Sequence, residues 1–173
     1  EHMGALHCRA IVAACGAYER PAIFPGWERP GVMTPGGAQT LLKTSGLLPH
    51  GRTVLAGCGP LLWLYAAQLL RAGGEIEAIL ETTPRANWLS AARHVPVALL
   101  SPLLSKGIKL IREVRKKATI VTNVTSISAE GDTAVRSVSA TGRGGSPIRY
   151  DVDTLLLHQG VVPNVNLALA AGV

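Results

Sequence analysis

The segment formed by residues 52–81 constrains the fold of this 173-residue chain more than any other part of it. An apolar run at 53–56 leads into a glycine-containing turn, an apolar stretch of helical character follows at 60–71, and a second apolar run occupies 76–80. This succession is typical of a β-α-β unit, in which the two strands are parallel and the crossover is right-handed. The sequence therefore predicts an α/β protein with a Rossmann-like, three-layer arrangement.

The sequence on both sides of this unit predicts further strands and helices. The run at 11–14 predicts a buried strand, residues 38–44 a short helix, and residues 154–157 a last apolar strand. Residues 85–117 show a helical pattern that proline and glycine interrupt. After residue 118, apolar and polar residues alternate between turn signals, which is typical of antiparallel hairpins. The stretches concerned are 119–124, 126–129, 134–140 and 148–150. We therefore expect a parallel β-α-β start followed by an antiparallel strand meander.

Charge and cysteine content exclude several classes of protein. The net charge of +6 comes largely from residues 106–117, where basic and apolar positions alternate as in an amphipathic helix with a solvated face. A face of this kind could instead meet a partner, a further domain or a nucleotide phosphate. No basic and aromatic interleaving accompanies it, so no nucleic-acid partner is expected. Cys8, Cys15 and Cys58 stand apart without a C-x-x-C pair, so no metal site is expected.

The apolar runs also bear on the location of the protein. None is long and continuous enough to cross about 30 Å of hydrocarbon. The first residues lack the basic region followed by an apolar one that marks a secretory signal. We therefore expect a cytoplasmic protein without membrane contact.

The glycine turn and the acid that follows it predict a dinucleotide site. Glycines between a strand and a helix let a pyrophosphate approach backbone N–H groups and the positive end of the helix. The acid ends the second strand, about 20 residues on, where it is placed to bind the ribose hydroxyls and to repel a 2′-phosphate. NAD is therefore favoured over NADP, although Arg85 lies close enough in sequence to leave that preference open. The predicted cofactor-binding residues of this unit are Gly57, Cys58, Gly59, Pro60, Leu61 and Glu81.

Two residues depart from the complete dinucleotide fingerprint. Leu62 takes the place of the third glycine, which normally lets the helix approach the sheet closely. Pro60 suits the first turn of a helix but removes one N–H that could have met phosphate. The alternative hypothesis is therefore a degenerate Rossmann-like scaffold, which docks subunits or another domain without binding nucleotide.

Three stretches together resemble the flavoprotein oxidoreductases with two dinucleotide folds, in which a nicotinamide-binding domain is inserted into a flavin-binding one. Residues 11–17, Ile-Val-Ala-Ala-Cys-Gly-Ala, look like the strand and turn with which such proteins leave the flavin domain. Residues 153–160, followed by Pro163 and Asn164, look like the strand on which they return. Within that superfamily, the proline- and glycine-rich run at 16–39 and the Gly-Cys-Gly-Pro-Leu-Leu of 57–62 are similar to the opine and nopaline oxidase and hydrogen cyanide synthase subunit group.

This resemblance implies an organisation in three segments. Residues 4–45 leave a flavin-binding domain, residues 46–150 form an NAD(P)-binding-like domain, and residues 151–173 return to the flavin-binding domain. It implies FAD in the intact protein, contacted near Gly16 and Gly160, and oxidation of a carbon–nitrogen bond in an amino acid or opine. We expect the chain to be an inactive fragment whose partners are the missing flavin-domain segments, a partner subunit or a second copy of itself. The resemblance assigns no catalytic residue.

The remaining polar residues give weaker predictions. Among the histidines, His7, His50, His94 and His158 have no paired acid at an informative spacing, and structural or surface roles are favoured for them. His158 and Gln159 are singled out because they end a strand, and strand carboxyl ends in α/β folds face ligands. For Glu19 and Arg20 a salt-bridged loop is favoured over contact with substrate or flavin.

Overall fold

The computed structural model describes residues 4, 7–95, 101–142 and 144–172. These residues divide into two compact units, one over Glu19–Gly160 and one over Glu1–Tyr18 with Val161–Val173. The strands are β1 (Ala17–Glu19), β2 (Val32–Met33), β3 (Thr53–Gly57), β4 (Ala78–Glu81), β5 (Thr119–Thr122), β6 (Ser126–Glu130), β7 (Ser137–Thr141), β8 (Pro147–Asp151), β9 (Thr154–His158) and β10 (Val161–Pro163). The helices are α1 (Pro35–Ser45), α2 (Pro60–Arg71), α3 (Arg85–Ala92), α4 (Pro102–Arg115) and α5 (Asn166–Ala170).

A parallel five-stranded sheet forms the centre of the larger unit, with the strand order β2-β9-β3-β4-β5. Its three middle strands, β9, β3 and β4, are buried along their whole length, as expected for a parallel sheet covered on both faces. Val54 pairs with Leu155 on one side and with Ala78 on the other. Because β3 lies at the centre, its carboxyl end meets the ends of both neighbours.

Helices cover one face of this sheet. Leu55, Ile79 and Leu156, one from each middle strand, pack in a single apolar cluster with residues of α2 such as Leu62 and Tyr65. Helix α4 joins the same cluster, and the Arg71 side chain at the end of α2 makes a two-bonded ion pair of 2.8 and 2.6 Å with Glu113. The helical layer is therefore fixed mainly by apolar contact, because an exposed ion pair contributes little.

The antiparallel meander β6-β7-β8 covers the other face. Neighbouring residues on the strands alternate between the two layers, so that Val54, Leu80 and Leu155 join an apolar cluster with Val138 and Ala129 of the meander. The result is a three-layer arrangement of helices, parallel sheet and antiparallel sheet. The predicted fold class is confirmed.

The smaller unit contains a two-stranded sheet of β1 and β10 and the short helix α5. Within it, Asn164 donates its backbone N–H to the carbonyl oxygen of Gly16 over 3.0 Å. None of the helices in the described ranges has both the length and the apolar character that a membrane crossing requires.

Several predicted elements differ from those observed. The strand predicted at 11–14 is wrong: no strand forms there, and Ile11 and Val12 are 81% and 91% exposed, because no neighbouring strand in the described part of the chain pairs with this run. The segment at 119–124 is a strand, but it is parallel to β4 and not part of a hairpin, since α4 carries the chain back across the sheet. Helix α1 begins at Pro35, three residues before its predicted start.

The segment boundaries predicted from the resemblance concern an assembled two-domain protein, and they stay a prediction. Within the chain itself, β2 and α1 belong to the Glu19–Gly160 unit, although they lie inside the predicted segment 4–45. Strand β9 lies inside the predicted segment 151–173, yet it completes the sheet of the same unit. Its two hydrogen-bonded neighbours, β2 and β3, account for this placement.

Candidate functional site

The end of β3 comes so close to the end of β9 that only glycine fits there. Gly57 pairs with His158 in the sheet and has a φ of +119°. A Cβ atom on Gly57 would lie 1.8 Å from the carbonyl oxygen of His158. The first glycine of the turn therefore serves the packing of backbone on backbone, and the chain can turn from β3 into α2 without obstruction.

The second glycine of the turn has open space in front of it. Gly59 precedes the first residue of α2 and has a φ of +92°. A Cβ on Gly59 would have only the ring atoms Cδ2 and Nε2 of His158 near it, each at 3.8 Å. Pro60 supplies no N–H, so the first amides of the helix that can meet a ligand are those of Leu61 and Leu62. The helix N-terminus thus opens onto a space that an anion could enter.

The glycine turn also lies where the connections of the sheet change direction. From β3 the chain proceeds through α2 to β4 on one side, whereas β9 occupies the other side. In open α/β sheets, ligands bind in the crevice at such a switch point, beyond the carboxyl ends of the strands. The topology therefore places the crevice between Gly57 and His158.

A chain of polar contacts joins three strand ends at this edge of the sheet. Cys58 donates its backbone N–H to the carbonyl oxygen of His158 over 2.9 Å. Its thiol lies 3.5 Å from the amide oxygen of Gln159, and the amide nitrogen of Gln159 donates to the hydroxyl of Thr82 over 3.3 Å. These contacts fix the turn relative to the ends of β4 and β9.

Glu81 ends β4 beside the glycine turn and is only 4% exposed. Its carboxylate accepts the backbone N–H of Thr83 over 3.3 Å, and a cavity of about 600 Å³ is lined by Glu81, Trp63, Arg85 and Arg115 among others. Two guanidinium groups therefore border the same cavity as the acid. The carboxylate can be reached from this cavity alone, through the small part of its surface that remains open.

A larger cleft of about 950 Å³ runs beside the turn. Its walls combine the polar groups of Cys58, Thr82 and Gln159 with apolar side chains such as Phe24 and Ile127. A flat, partly apolar ring with polar edges suits such walls. The two cavities flank the glycine turn along the carboxyl edge of the sheet.

His158 forms a buried pair with Glu19 at the same edge. The two side chains are 3% and 9% exposed, and Nδ1 of the imidazole is hydrogen-bonded to the Glu19 carboxylate. The second carboxylate oxygen of Glu19 accepts the backbone N–H of Gly36, at the start of α1, over 2.6 Å. The expectation that His158 has no paired acid is therefore wrong, because the partner lies 139 positions away in the sequence. The salt-bridged role favoured for Glu19 is confirmed.

The structure brings most of the predicted cofactor-binding residues together. Five of them form the turn and the first residues of α2, and Glu81 ends the neighbouring strand. Gly160 follows β9 with a φ of +95°, whereas Gly16, with a φ of +68°, belongs to the smaller unit. Leu62 is fully buried between α2 and the sheet, so the leucine at the third glycine position contributes to the core. No cluster of three or more metal-binding side chains occurs within the described ranges.

Comparison with known proteins adds the relationships of the chain. No protein-family model matches it. It is 46% identical over 164 residues, or 94% of its length, to an opine oxidase subunit from Agrobacterium tumefaciens (strain Ach5). It is also 45% identical over 71 residues, or 41% of its length, to the hydrogen cyanide synthase subunit HcnB from Pseudomonas aeruginosa, of which it covers 15%.

The chain belongs to the FAD- and NAD(P)-linked oxidoreductase family. It spans only 32% of the length of the A. tumefaciens opine oxidase subunit. Two solved structures from this oxidoreductase family share its fold. A 2-naphthoyl-CoA reductase complex matches 92% of the chain, with a TM-score of 0.62 and 18% identity over 21% of its own length. The thioredoxin reductase of T. acidophilum matches 87%, with a TM-score of 0.59 and 16% identity over 43% of its own length.

Proposed function

We propose that this chain supplies the NAD(H)-binding part of a flavin-dependent oxidoreductase. The observation that carries the proposal is the open space in front of Gly59, at the N-terminus of α2 and at the switch point of the parallel sheet. A pyrophosphate needs backbone N–H groups, the positive end of a helix and freedom from side chains. The glycine turn offers all three in one place.

The two cavities beside the turn support a dinucleotide that lies along the carboxyl edge of the sheet. The adenosine half would occupy the cavity that Glu81 and Trp63 line, with its ribose hydroxyls towards the carboxylate. The nicotinamide half would extend past Cys58 into the larger cleft. Glu81 favours NAD by repelling a 2′-phosphate, while Arg85 and Arg115 border the same cavity and oppose that preference.

For the whole protein we propose oxidation of a carbon–nitrogen bond in an opine or an amino acid, with FAD as the electron-accepting cofactor. The relatives named as opine oxidase subunits support this substrate class. Because those relatives are subunits of an enzyme, they also support a partner subunit. The flavin would be held with residues of the predicted segments 4–45 and 151–173, including Gly16 and Gly160. Those segment boundaries and the cytoplasmic location remain part of the proposal.

The nucleotide site can be tested by titrating NADH into the chain and following tryptophan fluorescence. Trp63 lines the cavity of Glu81, so bound nucleotide is expected to change its emission. We expect saturable binding, and we expect Glu81→Gln to weaken it about tenfold because a charged hydrogen bond to the ribose is lost. The matched control is Glu77→Gln, an exposed acid just before the same strand, which should bind like the wild type. Absence of saturation up to millimolar NADH would refute the proposed site.

The second candidate function is a scaffold that docks subunits without binding nucleotide. One observation favours it: Glu81 is 4% exposed and already accepts the backbone N–H of Thr83. A carboxylate in this position has few directions left in which to accept a ribose hydroxyl. This hypothesis predicts that wild type, Glu81→Gln and Glu77→Gln all ignore NADH and NADPH, so the same titration decides between the two functions.

A further inference from the structure

The imidazole of His158 presents one nitrogen to the space in front of the glycine turn. His158 is 97% buried, and its Nε2 lies 3.8 Å from the position that a Cβ on Gly59 would take. Within the described residues, Nε2 forms no hydrogen bond, whereas Nδ1 is bonded to Glu19. A buried polar atom of this kind is normally paired. Its only open direction leads into the space that a phosphate would fill.

Glu19 fixes the orientation of this imidazole. One carboxylate oxygen holds Nδ1 of His158, and the other is held by the N–H of Gly36. The ring therefore cannot turn Nδ1 towards the glycine turn without breaking the contact with Glu19. When Nδ1 carries a proton and donates it to the carboxylate, Nε2 of a neutral imidazole is an acceptor, and Nε2 of an imidazolium is a donor.

The helix N-terminus has one N–H fewer than usual, because Pro60 occupies its first position. We propose that His158 supplies the missing donor: as an imidazolium it binds a phosphate oxygen of the dinucleotide through Nε2–H, and Glu19 is the positioning residue. The inference rests on the proposed function and deepens it. The buried Glu19–His158 pair is then neutral beneath the phosphate, since the carboxylate and the imidazolium balance each other.

Binding of the dinucleotide is therefore coupled to proton uptake. Imidazole side chains change charge between about pH 5 and 8, and only the charged form donates from Nε2. NADH affinity should consequently fall as the pH rises through this range. The titratable groups on the elements around His158 are Glu19, Arg20, whose backbone N–H bonds to Gly160, and Cys58, whose thiol contacts Gln159. Of these side chains, only that of Glu19 is bonded to the imidazole.

Two isosteric variants separate the two nitrogens of the ring. In His158→Asn the side-chain amide replaces Nδ1, so contact with Glu19 is kept and the donor to phosphate is lost. In His158→Gln the amide replaces Nε2, so an uncharged donor is kept. We expect His158→Asn to weaken NADH binding at pH 6 about tenfold or more, as for the loss of one hydrogen bond to a charged group. His158→Gln should bind better than His158→Asn, and neither should show the pH dependence of the wild type.

Two further variants test the origin of the pH dependence. Glu19→Gln removes the charge that stabilises the imidazolium, so the pH at which affinity is half lost should move downwards. Cys58→Ser removes the only thiol near the site and should leave a falling affinity between pH 6 and 8.5. If the pH dependence disappears in Cys58→Ser, the thiol carries it and the proposal for His158 is wrong. Circular dichroism and thermal unfolding of each variant establish that it is folded.

The outcomes separate this inference from the function beneath it. Wild-type chain that binds NADH equally well at pH 6 and 8.5, and equally well as His158→Asn, overturns the role of His158 while the NAD site stands. Wild-type chain that binds no NADH at either pH overturns both. A tenfold loss in His158→Asn together with a retained pH dependence in Cys58→Ser supports the proposal.

Discussion

The two ends of the parallel sheet are built on different principles. At the amino end, Arg52 lies 3.9 Å from Asp151 and 3.6 Å from Asp153, in ion pairs open to water. At the carboxyl end, a buried acid and a buried histidine are bonded to each other behind two glycines in left-handed conformations. Exposed ion pairs contribute little and tolerate change, whereas buried polar groups cost stability unless each is paired. The carboxyl end therefore gives up tolerance for a ligand site.

The largest effect that this comparison predicts is at Gly57. Its Cβ would lie 1.8 Å from the carbonyl oxygen of His158, so in Gly57→Ala the strands β3 and β9 must separate at the site. We expect a loss of about 3 kcal/mol or more in the free energy of unfolding, measured by urea denaturation. Gly46→Ala is the matched control, because Gly46 has a φ of +66° and open surroundings, and should cost about 1 kcal/mol. Equal losses in the two variants would contradict the close approach.

A second prediction separates binding from stability within one helix. Gly59 and Gly73 lie just before and just after α2, with φ of +92° and +89°, and neither would bring a Cβ closer than 3.8 Å to another residue. Replacing either by Ala should therefore cost similar stability. Only Gly59→Ala should weaken NADH binding, about tenfold or more, since its methyl group enters the space of the phosphate. If Gly73→Ala weakens binding as strongly, the open space at Gly59 is not the phosphate site.

The smallest effect is predicted at the amino end. The backbone N–H of Arg52 donates to Asp153 over 2.9 Å, and this bond, followed by the charge of Arg52, lowers the pKa of the carboxyl. A lowered pKa in the folded chain gives stability that is present above the ordinary range near pH 4 and is lost as the pH falls through the folded value. Asp153→Asn should therefore be slightly less stable than wild type at pH 7, and the difference should shrink at pH 3. Asp151→Asn, which removes the longer ion pair, should change stability less at both pH values. Urea unfolding at the two pH values measures both.

The sequence predicts those parts of the site whose signals are local. The glycine turn, α2 and Glu81 follow one another within about 25 residues, and turn chemistry, helical periodicity and an acid after a strand predict each of them in place. The direction of β5 is not local. Its alternation predicts a strand, but only the return of the chain through α4 makes that strand parallel to β4.

The pair of Glu19 and His158 could not be predicted for a similar reason. Its members lie 139 positions apart, and neither neighbours a motif that points to the other. The position of His158 at the end of a strand was the one available signal, since it predicts a side chain near a ligand. The run at 11–14 shows the opposite limit: an apolar run predicts burial, but a strand also needs a partner strand, and none pairs with it among the described residues.

The place of β9 between β2 and β3 has a consequence for the birth of the protein on the ribosome. Cys58 and Gln159, which touch in the finished sheet, are 101 positions apart. At about 5–20 residues per second, synthesis of the intervening chain takes roughly 5 to 20 s. During that interval β2 and β3 have no strand between them, and bare strand edges are templates for unwanted pairing. The strand order thus sets a minimum delay, counted in seconds, before a nascent chain can close its own sheet.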